Sequence, residues 1–263
     1  MKALLHTDGL HVGHAGKVLV NDARFTVHAG EVAAVVGING SGKSTLLHTV
    51  LGLHAPLSGS VQVDGHPLTE LSAAQRARLI GAVLTGRPRV GLIDVRTLVS
   101  LGRHPWTGHL GRLTTSDHER MENALRLTGT LELAERAFDS LSDGEAQKVL
   151  VARAVAQDTP VLVLDEPTAH LDVVNRVLLF NLLRDLSRTL QRAILLSTHD
   201  LATAVDLCDR ILVIHEGKLW AGTPQEALAS DVLARAFSAE GLFFDPATRT
   251  LRPASSKEET PSC

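Results

Sequence analysis

Gly37-Ile38-Asn39-Gly40-Ser41-Gly42-Lys43-Ser44 is the stretch on which the fold turns. It matches G-x-x-x-x-G-K-[ST], and its flanks supply the context that this pattern requires. Residues 31–36 (EVAAVV) are rich in Val and read as a strand, while Lys43-Ser44-Thr45-Leu46-Leu47 opens a helix. The glycines let backbone N–H groups curl around an anion, and the helix N-terminus adds the positive end of its dipole. Lys43 would then reach β- and γ-phosphates, and Ser44 would set its hydroxyl on Mg²⁺. A solvated lysine beside a glycine-rich turn is the plain alternative. The strand before and the helix after argue against it.

Downstream, Val161-Leu162-Val163-Leu164-Asp165-Glu166 is an apolar strand ending in two acids. In a P-loop protein the Asp at such a strand end holds Mg²⁺, and a neighbouring carboxylate can orient an attacking water or take its proton. A second apolar strand, 193–197, ends in Ser197-Thr198-His199. The helix expected over 173–190 makes these strands a βαβ unit, hence parallel, so both C-terminal ends open on the ligand-binding edge of the sheet. There His199 could hydrogen-bond a γ-phosphate, although with 13 histidines in the chain a surface role is the plainer reading of His199 taken alone.

Further strands are expected at 17–27, 61–63 and 210–215, and helices at 72–79, 116–136 and 145–157. Residues 81–111 are rich in Gly, Pro and Arg and show little periodicity. The chain has 263 residues, 26 Lys plus Arg against 29 Asp plus Glu, and a net charge of −3, so a broadly nucleic-acid-binding surface is not expected. No apolar run reaches the ~20 residues that cross a bilayer. His6, Thr7 and Asp8 interrupt what would be the apolar part of a signal peptide. Two cysteines, Cys208 and Cys263, give no disulfide framework; Cys208 is expected on a helix packing face and Cys263 on a loose tail. These features describe a soluble intracellular protein.

Gly37–Thr45, Leu141-Ser142-Asp143-Gly144-Glu145, Leu164-Asp165-Glu166-Pro167, Ala169-His170-Leu171-Asp172 and Ser197-Thr198-His199 occur in the order and rough spacing of ABC-transporter ATPases. The chain resembles that family over nearly its whole length. The resemblance implies a mostly parallel α/β core of the P-loop NTPase (RecA-like) type at about 1–85 and 158–250. It also implies an N-terminal antiparallel β portion and a helical insert at about 86–157, with residues 251–263 as a disordered tail. It implies that ATP and Mg²⁺ are bound by Gly37, Asn39, Gly40, Ser41, Gly42, Lys43, Ser44 and Thr45. Asp165 would hold the metal, Glu166 would be the base, His199 the switch histidine and Asp172 the D-loop aspartate. A second copy would pair head to tail, with its Ser142 and Gly144 on the γ-phosphate. A helix cap is the simpler reading of Ser142-Asp143-Gly144-Glu145 taken alone.

Three positions depart from the family pattern. Thr85 stands where a metal-liganding glutamine is usual, and its shorter hydroxyl would reach the metal only through water. Asp143 and Glu145 add negative charge to the signature segment, to be offset by Lys148 or Arg153. With no tyrosine in the chain, His14 is the candidate to stack on adenine. Leu98–Trp106 and the C-terminal part from Gly222 to Asp245 resemble the importer branch for iron–siderophore, haem and cobalamin complexes. That branch implies a membrane permease, an indirect link to a substrate-binding protein, and a place on the cytoplasmic face of the cell membrane. Trp106 is then either an anchor for the permease or packed on its own subdomain. His104 and His109 form at best a weak metal pair. A weakly hydrolysing dimerisation or regulatory module, or an ATPase of another transporter branch, stands as the alternative function.

Overall fold

Every residue of β3 (Val32–Val36), β7 (Val161–Leu164) and β8 (Ala193–Ser197) is buried, as expected of parallel strands covered on both faces. Their side chains alternate between two cores: Ala34, Leu162, Leu164 and Leu196 face one, and Val35, Val161, Val163 and Leu195 the other. The computed structural model describes residues 1–14, 16–108, 111–238, 242–245 and 250–253.

Ten strands form one sheet. β1 (Ala3–His14), β2 (Lys17–His28), β4 (Ser58–Val63) and β5 (His66–Pro67) make its antiparallel side. β6 (Ile80–Val83), β7, β8, β3 and β9 (Arg210–His215) are parallel, and β10 (Lys218–Gly222) returns antiparallel to β9. The spatial order is β5-β4-β1-β2-β10-β9-β3-β8-β7-β6. This is the expected P-loop α/β core with an antiparallel N-terminal portion.

α1 (Lys43–Val50) packs on the face shared with the antiparallel strands, burying Leu46, Leu47 and Val50. α2 (Ala73–Leu79) begins with a capping box at Ser72 and Gln75. Beyond β6, α3 (Val95–Ser100) and α4 (Thr115–Leu127) pack around α5 (Asp143–Ala156). α6 (Val173–Leu190) joins β7 to β8, and α7 (Leu201–Leu207) leads to β9. α8 (Pro224–Ala229), α9 (Val232–Ser238) and the hairpin β11 (Leu242–Asp245) and β12 (Thr250–Pro253) follow.

Several expectations are corrected. The helix expected over 116–136 stops at Leu127, because Thr128 turns its hydroxyl onto the Ala124 carbonyl (2.9 Å) and Gly129 takes φ +65°. β1 belongs to the antiparallel portion that the resemblance implies but is not among the strands expected from the residues themselves, since its apolar positions are broken by bulges rather than strictly alternating. α3 and a 3₁₀ turn over 101–106 lie within the stretch read as aperiodic. Cys208 is buried just past the end of α7 rather than on a helix face, and burial pushes its thiol pKa up. Residues 251–253 of the expected tail belong to β12, while residues 254–263, with Cys263, lie outside the described residues.

Candidate active site

Four strand ends meet at one edge. After β3 the chain turns through Gly37–Gly42 into α1. A Cβ at Gly37 would stand 2.6 Å from the Ile214 carbonyl oxygen, and Gly40 takes φ +75°, so the loop requires glycine at both positions. The Lys43 ammonium, buried with its side chain, donates to the carbonyls of Gly37 (2.9 Å) and Ile38 (3.0 Å) and thereby spans the loop's hollow. The Ser41 hydroxyl is buried inside the same loop and has no protein partner. An orphaned donor there, beside a lysine at a helix N-terminus, suits a phosphate oxygen.

A hydrogen-bonded run crosses the edge from α1 to the end of β8. Ser44 Oγ donates to Asp165 Oδ1 (3.1 Å), and Ser197 Oγ donates to the same oxygen (2.7 Å). Ser197 Oγ also accepts the backbone N–H of Glu166 (2.8 Å), and His199 Nε2 donates to Glu166 Oε1 (2.6 Å). Glu166 sits at φ +47°, a left-handed conformation costly for a residue with a Cβ. The buried Ser197 hydroxyl holds this turn, so the two adjacent acids point to different tasks. Asp165 faces the Ser44 hydroxyl, while Glu166 faces His199 in a half-exposed position. A hydroxyl and a carboxylate at hydrogen-bond distance are hard oxygen donors of the kind Mg²⁺ takes. No cluster of three or more His, Cys, Asp or Glu among the described residues would hold a softer metal.

The remaining candidates fall around this run. Thr85 donates its hydroxyl to the Asp165 backbone carbonyl (3.0 Å), which braces the acidic turn from β6. The exposed His14 lies 3.2 Å from the Thr45 hydroxyl through Nε2 and packs edge-on against His54, their ring centres 4.6 Å apart. Ser142 caps α5 in a capping box with Glu145, and Gly144 approaches Asn175 of α6, where an added Cβ would meet Oδ1 at 2.7 Å. Asp172 caps α6, and the N–H groups and side-chain amide it accepts from Asn175 hold its carboxyl below the usual range. Asn39, Gly42 and Thr45 complete the loop and the first turn of α1.

The charge partners differ from expectation. Asp143 pairs with Arg87 (3.2 Å), not with Lys148 or Arg153; Arg153 is drawn inward toward the Ala82 carbonyl (3.3 Å). Glu145 is held below its ordinary pKa chiefly by the Ser142 N–H and hydroxyl, with Arg136 at 3.4 Å and Lys148 adding field. Trp106 donates its indole N–H to the Gln157 carbonyl (2.8 Å) and has Arg78 and Arg103 against its ring at 5.0 and 5.4 Å. Its polar atom is thus spent within the chain, while 40% of the residue stays exposed. His109 lies outside the described residues, so the pair with His104 has no geometry. Sequence reading gave no role to Ser197, Arg87 or His48, whose Nε2 lies 3.6 Å from Asp165 Oδ2. Only Ser197 carried a signal, as a polar residue closing an otherwise apolar strand.

A glycine-rich anion loop between β3 and α1, with acids at the neighbouring strand end, defines a P-loop nucleotide-binding fold. The chain belongs to the ABC transporter family, whose model matches residues 20–169. It is 40% identical over 246 residues to a cobalamin import ATP-binding protein of Halobacterium salinarum, covering 93% of this chain and 61% of that one. The chain thus spans less than two thirds of that relative's length. It is 41% identical over 229 residues to a hemin import ATP-binding protein of Nocardia farcinica, covering 86% of this chain and 77% of the relative. Among solved structures, cbiO1 of Clostridium perfringens, part of the ABC transporter complex cbiONQ, superposes with a TM-score of 0.79 at 28% identity, over 89% of this chain and 94% of that one. No helix of the described residues is long and apolar enough to cross a membrane.

Proposed function

We propose that this chain is the ATP-hydrolysing subunit of an ABC importer for a chelated metal or corrinoid: an iron–siderophore, haem or cobalamin-type complex. The observation that carries the reading is the run Ser44–Asp165–Ser197–Glu166–His199, which joins the end of the glycine-rich loop to two carboxylates and a histidine on one sheet edge. Residues of about 1–85 and 158–250 act as the catalytic core, and about 86–157 as a helical subdomain. The relatives' names supply the solute class.

ATP lies on Gly37–Thr45, with Lys43 turning from its loop carbonyls to the β- and γ-phosphates and with His14 against the adenine. Ser44 and Asp165 hold Mg²⁺, which supplies charge neutralisation to the triphosphate. Glu166 accepts the proton of the attacking water, and His199 fixes that carboxylate and reaches the γ-phosphate. Thr85 contributes by bracing Asp165. A second copy offers Ser142 and Gly144 at the N-terminus of α5, so each nucleotide is closed between two chains. A permease docks in the groove of about 440 Å³ lined by Leu53, Arg76, Leu84, Leu101, Pro105 and Gln157, where Leu53, Leu84 and Leu101 are exposed apolar side chains. The subunit thereby sits at the cytoplasmic face of the membrane, served indirectly by a substrate-binding protein and not by nucleic acid.

Phosphate release by the purified chain, with Mg²⁺ and with chelator, tests the activity. Metal-dependent turnover is expected. Its absence would favour the weakly hydrolysing module, for which the missing glutamine at Thr85 speaks. Loss of growth on haem, cobalamin or a ferric siderophore after gene deletion tests the solute class, and unimpaired growth on all three would remove it. His14→Ala is expected to raise the KM for ATP about three- to tenfold with kcat little changed, the size of a lost ring stack. An unchanged KM would assign adenine to another residue.

A further inference from the structure

The segment that follows Thr85 meets the turn that carries Asp143. Arg87, two residues beyond Thr85, donates from Nη2 to the Phe138 carbonyl (2.7 Å) and from Nη1 to the Leu141 carbonyl (3.0 Å) and Asp143 Oδ1 (3.2 Å). Its guanidinium also lies 5.1 Å from the centre of the buried Phe138 ring. Four residues on, the Gly91 N–H donates to Asp139 Oδ2 (3.1 Å). The segment leaving β6 is therefore stitched at two points to the turn 138–143 that presents Ser142 and Gly144. Asp143 is the first residue of α5, so its carboxylate occupies the positive end of the helix where an incoming phosphate must also come. Glu145 is already engaged by Ser142 and Arg136, which leaves Asp143 as the acid that needs a cation. Arg87 is the one charged partner within ion-pair distance of it among the described residues.

We propose that Arg87 is the positioning residue that neutralises Asp143, so that closure of two copies on ATP depends on the Asp143 charge being offset. This rests on the reading that the signature turn closes on a partner's triphosphate. Without the guanidinium, Asp143 repels the γ-phosphate bound on the other chain. With it, the turn presents a near-neutral helix N-terminus to the nucleotide. Arg87 does not touch the reacting atoms; it acts through Asp143 and the turn's carbonyls. It also makes movement of the segment after Thr85 and movement of the signature turn one event.

The test is a set of variants in a Glu166→Gln background, with dimer dissociation constants measured by sedimentation in Mg-ATP. Arg87→Ala is expected to weaken pairing on the order of tenfold, with ATP affinity of the single chain unchanged, because that nucleotide sits on the chain's own Gly37–Thr45 loop. Arg87→Ala combined with Asp143→Gly is expected to recover pairing to within about threefold of the parent. A double variant as weak as Arg87→Ala alone would overturn the proposal and leave Arg87 as a scaffold for the Phe138 and Leu141 carbonyls. Should Arg87→Ala not fold, Asp143→Asn in the intact chain is expected to pair at least as tightly as the parent; weaker pairing there would also overturn it. A parent that stays monomeric removes the ATP-closure reading, and this proposal with it. A parent that pairs with an Arg87→Ala variant equally tight removes this proposal alone.

Discussion

Glu166→Gln is expected to slow ATP hydrolysis about 10²- to 10⁴-fold, the usual worth of a positioned general base, with ATP affinity retained. The amide keeps the shape of the carboxylate and can still meet His199, which lies 2.6 Å from Glu166 Oε1. What it loses is the ability to take a proton from water. The turn itself should persist, because it is held by the Glu166 backbone N–H on Ser197 Oγ, which the substitution leaves alone. Single-turnover phosphate release measures the effect. A variant within a few-fold of the parent would mean that another group takes the proton, and the separation of tasks between Asp165 and Glu166 would be wrong.

The second large effect is on stability. Arg103 and Asp117 form an ion pair at 2.8 Å with both side chains about 5% exposed, and Arg103 also donates to the Ala156 carbonyl at the end of α5 (2.7 Å). Asp117→Ala strands a buried guanidinium, which costs about 3–5 kcal/mol when one partner is removed. It also removes the acceptor of the Thr114 N–H and hydroxyl, and with it the capping box of α4. Denaturant midpoints report the loss; a midpoint unchanged within error would show the pair contributes nothing. The same group sets an acid limit. Hydrogen bonds from Thr114, then Arg103, lower the Asp117 pKa to about 2 from an ordinary 3.8. A depressed carboxylate contributes stability that is complete above its unfolded pKa and is lost as pH falls through the folded one. The parent should therefore lose this contribution between about pH 4 and pH 2, and Asp117→Ala should lack that part of the slope. Equal slopes in the two proteins would place the acid sensitivity elsewhere.

Much of the site was legible because its chemistry is local in sequence. The loop from Gly37 to Ser44 and the acids closing β7 carry spacing and context together, and the helix that joins 161–165 to 193–197 makes the two strands parallel, which brings both C-terminal ends to one edge. The pairing of charges was not legible, because it is decided by tertiary approach. Arg87 lies 56 positions from Asp143 and meets it only because the segment after β6 folds back over the 138–143 turn. Lys148 and Arg153 lay nearer in sequence, but the helix turns Arg153 inward to the Ala82 carbonyl. Ser197 was equally hidden: nothing in a strand-ending serine says that it will join a backbone N–H to a carboxylate across two strands. The end of α4 at Leu127 turned on one hydroxyl, that of Thr128, competing for main-chain carbonyls. Apolar spacing does not register such a competition.

The central claim is that ATP closes two copies of this chain head to tail across the loop Gly37–Thr45 and the turn Ser142–Gly144. It is tested most directly by the solution mass of Glu166→Gln with and without Mg-ATP. The mass should double from that of the 28.1 kDa monomer when Mg-ATP is added, and return when the nucleotide is removed. A chain that binds ATP and keeps its monomer mass would contradict the claim.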